Sequence, residues 1–288
     1  MTVPSGRGAA GAGAPNLIMR VASAAVLAPI VLAIAYLGGW IFLTLCGFAA
    51  AGIFREWMHL AAGRAELRLL APVWAALLAA LVLVGLAYPA TAALALALGA
   101  AVTGAVTLAG AGAPGISVMW AAGGAIYAGI GFLGPALLRH DGKFGFQAFL
   151  FVAIIVWMTD ILAYFVGRAV GGPRLWPSVS PNKTWSGAVG GLIGGVAGGL
   201  VVAYASGLGR LASLGVIALA LSLLAQAGDL FESAVKRRFG AKDAGRIIPG
   251  HGGLMDRLDG FLFAAAAAAA IGILHAGTAA AAQGLLLW

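Results

Sequence analysis

Cysteine is nearly absent from this chain: Cys46 is the only one among 288 residues. An intrachain disulfide and a cysteine-based metal site are therefore excluded. Charge is almost as scarce. Asp, Glu, Lys and Arg make up 9% of the chain, against about 25% in soluble domains. So few charges cannot cover a water-exposed surface. With 62% hydrophobic residues, most of the chain must face lipid or other apolar helices. The bases outnumber the acids, 17 to 9, for a net charge of +8. No soluble basic domain gathers these bases, which argues against nucleic acid as a partner. Anionic lipid headgroups or phosphorylated substrates suit the charge better.

What fills the chain instead is long apolar runs. A membrane-spanning helix needs about 20 apolar residues. By that rule the sequence predicts nine spans, near 17–37, 40–54, 69–88, 90–112, 117–138, 146–166, 187–206, 211–231 and 260–276. The fold class expected is all-α, a polytopic transmembrane helix bundle. Residues 1–16, rich in Gly, Ala and Pro, read as a disordered tail. The run from Leu17 reads as half of a retained hairpin rather than a cleaved signal, because a second apolar run follows directly after Gly38-Gly39. Residues 17–140 form an N-terminal set of spans. Residues 141–288 form a C-terminal region with polar loops at 167–186 and 232–259.

Nine spans with the N-terminus inside sort the bases unevenly. Arg7, Arg20, Arg55, Arg64, Arg68, Arg168, Arg174, Lys183, Lys236, Arg237, Arg238, Lys242, Arg246 and Arg257 fall inside, and only Arg139, Lys143 and Arg210 fall outside. That asymmetry places the N-terminus and both polar loops on the cytoplasmic side.

The acids cluster too. They are Glu56, Glu66, Asp141, Asp160, Asp229, Glu232, Asp243, Asp256 and Asp259, and five of the nine lie between 229 and 259. Asp160 lies within the sixth span, where an ionisable group must face a cavity or a partner. Asp256 and Asp259, at i and i+3, share a helix face, and Asp229 lies at the end of the preceding span. Carboxylates without thiols suit a hard cation such as Mg²⁺. Helix capping and pairing with Arg257 or Lys236 would explain part of the cluster.

Lys236-Arg237-Arg238, Lys242, Arg246 and Arg257 share this segment with the acids and with Gly250-His251-Gly252-Gly253. Glycines let a backbone approach a phosphate. Metal, bases and backbone amides together equip a site for phosphoryl or nucleotidyl transfer. His251 reads as a phosphate contact ahead of a general base or a plain loop histidine. The loop Ser180-Pro181-Asn182-Lys183-Thr184-Trp185-Ser186-Gly187 reads equally as a phosphate binder and as a turn whose Thr184 or Ser186 caps a helix. Beyond it, Gly187, Gly191, Gly195 and Gly199 form a smooth stripe, suited to close helix packing within the bundle or to a dimer contact.

The run Ser233-Ala-Val-Lys236-Arg237, then Lys242-Asp243, then Pro249-Gly250-His251-Gly252-Gly253-Leu-Met-Asp256-Arg257-Leu-Asp259 resembles the signature of the phosphatidate cytidylyltransferases, or CDP-diacylglycerol synthases. Gln226-Ala-Gly228-Asp229, the Ser180-Pro181 and Lys183-Thr184 pairs, and Asp160, Tyr164, Gly167 and Arg168 agree with it. The N-terminal half resembles the family only in its span pattern. Ser186 departs from the family, which usually has Glu there.

The resemblance implies transfer of the cytidylyl group of CTP to phosphatidate, releasing pyrophosphate, in phospholipid synthesis. It implies Mg²⁺, leaves a second cation open, and leans toward a homodimer in the bacterial inner membrane with the site facing the cytoplasm. Asp229 and Asp256 match the family's metal-binding acids, with Asp259 in or beside the same shell. Lys236, Arg237, Lys242 and Arg257 would hold phosphates, with Asp243 and His251 in the same catalytic segment. Ser180, Asn182, Lys183, Thr184, Ser233, Gly250, Gly252 and Gly253 would contact substrate, and Asp160 has no assigned role. Two other classes compete: another membrane transferase acting on a lipid phosphate, and a transporter. A CDP-alcohol phosphotransferase would need a different pattern of four Asp, and a transporter would carry ionisable residues along several spans.

Overall fold

The structure is a computed structural model that describes residues 14–110, 116–245 and 252–288, with side chains from Val26 onward. Ten α-helices and one hairpin follow in order: α1 Ala14–Leu37, α2 Gly39–Ala62, α3 Leu67–Gly85, α4 Pro89–Leu108, α5 Val118–His140, α6 Gly145–Val170, β1 Arg174–Trp176, β2 Ser180–Thr184, α7 Trp185–Ala205, α8 Leu211–Arg238, α9 Met255–Ala276 and α10 Ala281–Leu286. The eight helices α2 to α9 are each long and apolar enough to cross a membrane. In α1 the described apolar stretch is Val26–Leu37. The expected all-helical polytopic bundle is what forms. The expected tail, residues 1–16, lies almost wholly outside the described residues.

Several helices outrun the apolar runs that predict them. The second span was expected to stop at 54, yet α2 continues to Ala62 and carries Arg55, Glu56, Trp57 and His59. Glu56 is buried there, 2% exposed. The eighth was expected to stop at 231, yet α8 runs to Arg238. The ninth was expected to begin at 260, yet α9 begins at Met255. Much of the expected loop 232–259 is therefore helical. An apolar-run rule ends a span at its first charge, whereas a helix ends only where its backbone hydrogen bonds stop. Loop 167–186 also holds more than a turn. Gly171 and Gly172, at φ 65° and 102°, bend the chain off α6 in a conformation that disfavours other residues. β1 and β2 then pair antiparallel, Arg174 opposite Thr184 and Trp176 opposite Ser180. The Trp185 N–H donates to the Pro173 carbonyl at 3.1 Å and closes the hairpin.

The glycine stripe packs within the chain, so it carries no argument for a dimer. A Cβ at Gly191 would lie 2.9 Å from the Thr159 carbonyl oxygen, and one at Gly194 would lie 2.8 Å from that of Met158. α7 thus rests directly on the α6 backbone. Thr159 Oγ1 and Ser222 Oγ, 2.7 Å apart and buried, tie α6 to α8 beneath the stripe.

One end of the bundle collects the C-terminal ends of α2, α6 and α8, the N-terminal ends of α5, α7 and α9, and the hairpin. The Trp57 indole N–H donates to the Trp120 carbonyl at 2.8 Å. The Arg237 Nε–H donates to the Val179 carbonyl at 3.3 Å. At the opposite end the Arg139 guanidinium, on the last turn of α5, donates to the Ala35 and Tyr36 carbonyls of α1. This alternation is that of a chain crossing back and forth.

Candidate active site

The last four turns of α8 carry Gln226, Asp229, Glu232, Ser233 and Lys236. These three- and four-residue steps place them on neighbouring parts of one helical surface. Lys236 anchors a buried charge cluster. Its Nζ lies 2.6 Å from Glu232 Oε2 and 2.6 Å from Asp256 Oδ1, and the three side chains are 12%, 0% and 12% exposed. Burying ions costs several kcal/mol each unless they are paired and hydrogen-bonded. Asp256 meets that requirement: its Oδ2 also accepts the Ala244 N–H at 3.0 Å and the Gly253 N–H at 2.8 Å. Glu232 does not. It is an ion-pair partner by distance, but among the described residues no aligned hydrogen bond reaches either of its oxygens.

Beside this cluster a cavity of about 730 Å³ opens between α6, the hairpin, α7 and α8. Asp160, Tyr164, Arg168, Arg174, Asn182, Lys183, Thr184, Gln226 and Asp229 line it. The Lys183 ammonium pairs with Asp229 Oδ2. Ser233 Oγ donates to Asp229 Oδ1 at 3.4 Å. The Gln226 side-chain amide donates to the Ala188 carbonyl at 3.2 Å. Asp160 is exposed, although it sits ten residues before the end of α6. At 1.5 Å per residue, the cavity reaches about 15 Å below that end. Asp259 lies one turn after Asp256 on α9. It interacts electrostatically with Asp229, Asp160 and Lys183, and its Oδ1 accepts the N–H of Gly260 at 2.7 Å.

The expected site residues therefore fall into three groups. Asp160, Asn182, Lys183, Thr184 and Asp229 share the first cavity. Lys236 and Asp256 form the buried cluster beside it. Lys242 and Asp243 line another cavity, of about 660 Å³, with Arg55, Glu56 and His59. Several of these residues also make structural contacts. Thr184 Oγ1 accepts the Gly187 N–H at 3.1 Å and caps α7, so the capping alternative is realised. The Ser186 hydroxyl donates to the Gly171 carbonyl and braces the hairpin. Arg237 donates to the carbonyls of Val179 and Ala241. Gly252 turns the chain at φ 82°. A Cβ at Gly253 would lie 2.7 Å from Glu56 Oε2. Ser180 pairs with Trp176 in the hairpin, and Arg257 is exposed on the first turn of α9. Gly250 and His251 lie outside the described residues.

Sequence reasoning assigned no role to Glu56, Glu232 or Arg174. Glu232 had a usable signal, its four-residue spacing from Lys236. Glu56 showed only as an acid just past an apolar run.

The acids fit a hard cation in kind, since every donor is oxygen. Among the described residues no three His, Cys, Asp or Glu side chains converge closely enough to hold a metal ion. Mg²⁺ does not demand that, since it is usually held by one or two carboxylates together with substrate phosphates and water. Ammonium groups already occupy the cation positions beside Asp229 and Asp256.

The sequence model of the Cytidylyltransferase family matches residues 18–274. Proteins named phosphatidate cytidylyltransferase from Brucella abortus and Brucella suis are each 43% identical over 259 residues, covering 87% of this chain and 91% of theirs. One of that name from Staphylococcus saprophyticus is 46% identical over 138 residues, 48% of this chain and 52% of its own. The likeness thus extends through the N-terminal helices, which by sequence resembled the family only in their span pattern.

Proposed function

This chain belongs to the cytidylyltransferase family, and from that premise we propose that it is a phosphatidate cytidylyltransferase, joining CTP and phosphatidate into CDP-diacylglycerol and pyrophosphate. One observation carries the reading. The ion-paired Asp229 and Lys183, with Arg168 and Arg174, line a cavity that descends along membrane-spanning helices to Asp160.

In this reaction a phosphate oxygen of the lipid attacks the α-phosphorus of CTP. A new P–O bond forms, the bond to the β-phosphate breaks, and pyrophosphate leaves. Both reactants are anions, so the dominant obstacle is their repulsion, and preorganised positive charge is the remedy. Lys183, Arg168 and Arg174 supply that charge in the cavity. Lys236 holds the Asp256 carboxylate in place from below. The attacking phosphate is already deprotonated at neutral pH, so no strong general base is required. Mg²⁺ held by one or two of the carboxylates of Asp229, Asp256 and Asp259, together with substrate phosphates and water, would supply further positive charge to the phosphate oxygens. The depth of the cavity suits a substrate whose headgroup reacts while its acyl chains stay in the bilayer. The distribution of bases supports a cytoplasmic opening, where CTP is available, and residence in the bacterial inner membrane. A homodimer rests on the family resemblance alone.

The test is pyrophosphate release and labelled-lipid formation by the purified protein, given CTP and phosphatidate, with Mg²⁺ and after its chelation. CDP-diacylglycerol formation that needs both substrates and Mg²⁺ is expected. Activity only with CDP-diacylglycerol plus an alcohol, or none with phosphatidate, overturns the reading. A reporter fused to the C-terminus should lie outside the cytoplasm; finding it inside overturns the orientation.

A further inference from the structure

The helix that bears Asp256 and Asp259 begins without a cap of its own. Its N-cap position is Leu254, whose side chain makes no capping hydrogen bond. The first N–H groups of a helix have no partner within it, and a local Ser, Thr, Asp or Asn usually supplies one. Here the acceptor comes from the other half of the chain. The Leu254 N–H donates to Glu56 Oε1 at 3.0 Å, and the Met255 N–H donates to Glu56 Oε2 at 2.8 Å. These contacts join residues 198 and 199 positions apart. A carboxylate at a helix N-terminus is also favoured by the helix dipole.

The surrounding chain is shaped to this carboxylate. A Cβ at Gly245 would overlap it, and one at Gly253 would lie 2.7 Å from Glu56 Oε2 and 2.9 Å from Asp256 Oδ2. The two segments that hold Asp256 by its carboxylate, at Ala244 and Gly253, thus close around Glu56 as well. Trp57, the next residue, is fixed by its hydrogen bond to Trp120 and its stacking on Phe231 of α8. The end of α2 therefore has little freedom to move with respect to α8 and α9.

We propose that Glu56 is a positioning residue for nucleotidyl transfer: it fixes the first turn of α9 and so sets where the Asp256 carboxylate stands. The proposal rests on the function proposed above. Glu56 acts through Asp256. Misplacement of a reacting group by about 1 Å can cost on the order of 100-fold in rate.

The test compares wild type with Glu56→Gln, which keeps the size of the side chain but offers one acceptor oxygen in place of two. Hydrogen exchange is measured on the peptide spanning residues 252–258, and kcat and KM are measured with CTP and phosphatidate. Exchange there should be about tenfold faster, the effect of losing a hydrogen bond to a charged acceptor, with peptides of α6 unchanged. kcat should fall about 100-fold while the KM for CTP moves less than threefold. Leu77→Ala, which opens a cavity at a buried position of α3, is a control for mere destabilisation and should leave kcat of the folded protein unchanged. Gly245→Ala, whose Cβ would overlap the Glu56 carboxylate, should reproduce both effects and serves if Glu56→Gln does not fold. Unchanged exchange overturns the cap, and faster exchange with unchanged kcat overturns the positioning role. If wild type itself fails to use CTP and phosphatidate, the proposed function fails, and the exchange experiment still decides whether Glu56 caps α9.

Discussion

Replacing Lys236 by Met keeps the apolar stem and removes the ammonium that two carboxylates share. The loss falls unequally on them. Asp256 retains the N–H groups of Ala244 and Gly253. Glu232, whose side chain is 0% exposed, retains no aligned hydrogen-bond donor among the described residues. Leaving a buried charge without its partner costs about 3–5 kcal/mol, and here nearly all of that should come from Glu232. The double variant Lys236→Met/Glu232→Gln removes the orphaned charge as well and should regain about 2–3 kcal/mol of the loss. Equilibrium unfolding in mixed micelles, followed by tryptophan fluorescence, measures both. Turnover should be lost in both variants, because Asp256 loses the cation that holds it. A single variant within about 0.5 kcal/mol of wild type, or a double variant no more stable than the single, would refute the assignment of the cost to Glu232.

Asp256→Asn is nearly isosteric and should abolish turnover without reducing the yield of folded protein; near-normal activity at an unchanged elution profile counts against Asp256 as a metal or phosphate-site acid. Gly191→Val would place its Cβ 2.9 Å from the Thr159 carbonyl oxygen, so α6 and α7 must part. A loss of about 1–3 kcal/mol should appear in thermal unfolding, together with weaker substrate binding in the cavity between those helices. Thr184→Ala removes the cap of α7 and should cost about 1 kcal/mol, with a larger fall in activity than in stability because Lys183 precedes it.

The membrane class and the common side of the polar segments were legible because each rests on a repeated property, apolar length or the sidedness of bases; against nine expected spans, the described residues hold eight helices long and apolar enough to cross. The gathering of charge at 229–259 was legible because the acids and bases lie close in sequence. Glu56 was not, since what matters about it is which amides it meets 198 and 199 residues later, and no local pattern encodes that. The hairpin was missed for a different reason. Its strands hold three and five residues, too few to show a periodicity, and Ser180 to Thr184 reads as a turn. The glycine stripe was visible at once, but its partner was not: glycine carries no side chain that could name α6 rather than a second copy. Gly253 was read as a place for a phosphate to approach, whereas the structure fills the space with the side chains of Glu56 and Asp256. A missing Cβ marks close approach without saying what approaches.

The contact between Glu56 and the start of α9 also bears on modularity. The stretch from Asp160 to Asp259 contains every residue that the family signature marks, and it invites treatment as a transplantable cassette. It is not self-sufficient. A fragment beginning at α6 would leave the amides of Leu254 and Met255 without their acceptor and would strip Trp57, Trp120 and Tyr127 from the aromatic stack around Phe231 and Phe239. The two halves of the chain are therefore bound to vary together, and chimaeras between relatives should tolerate exchange of α3 and α4 far better than a junction that separates the end of α2 from the beginning of α9.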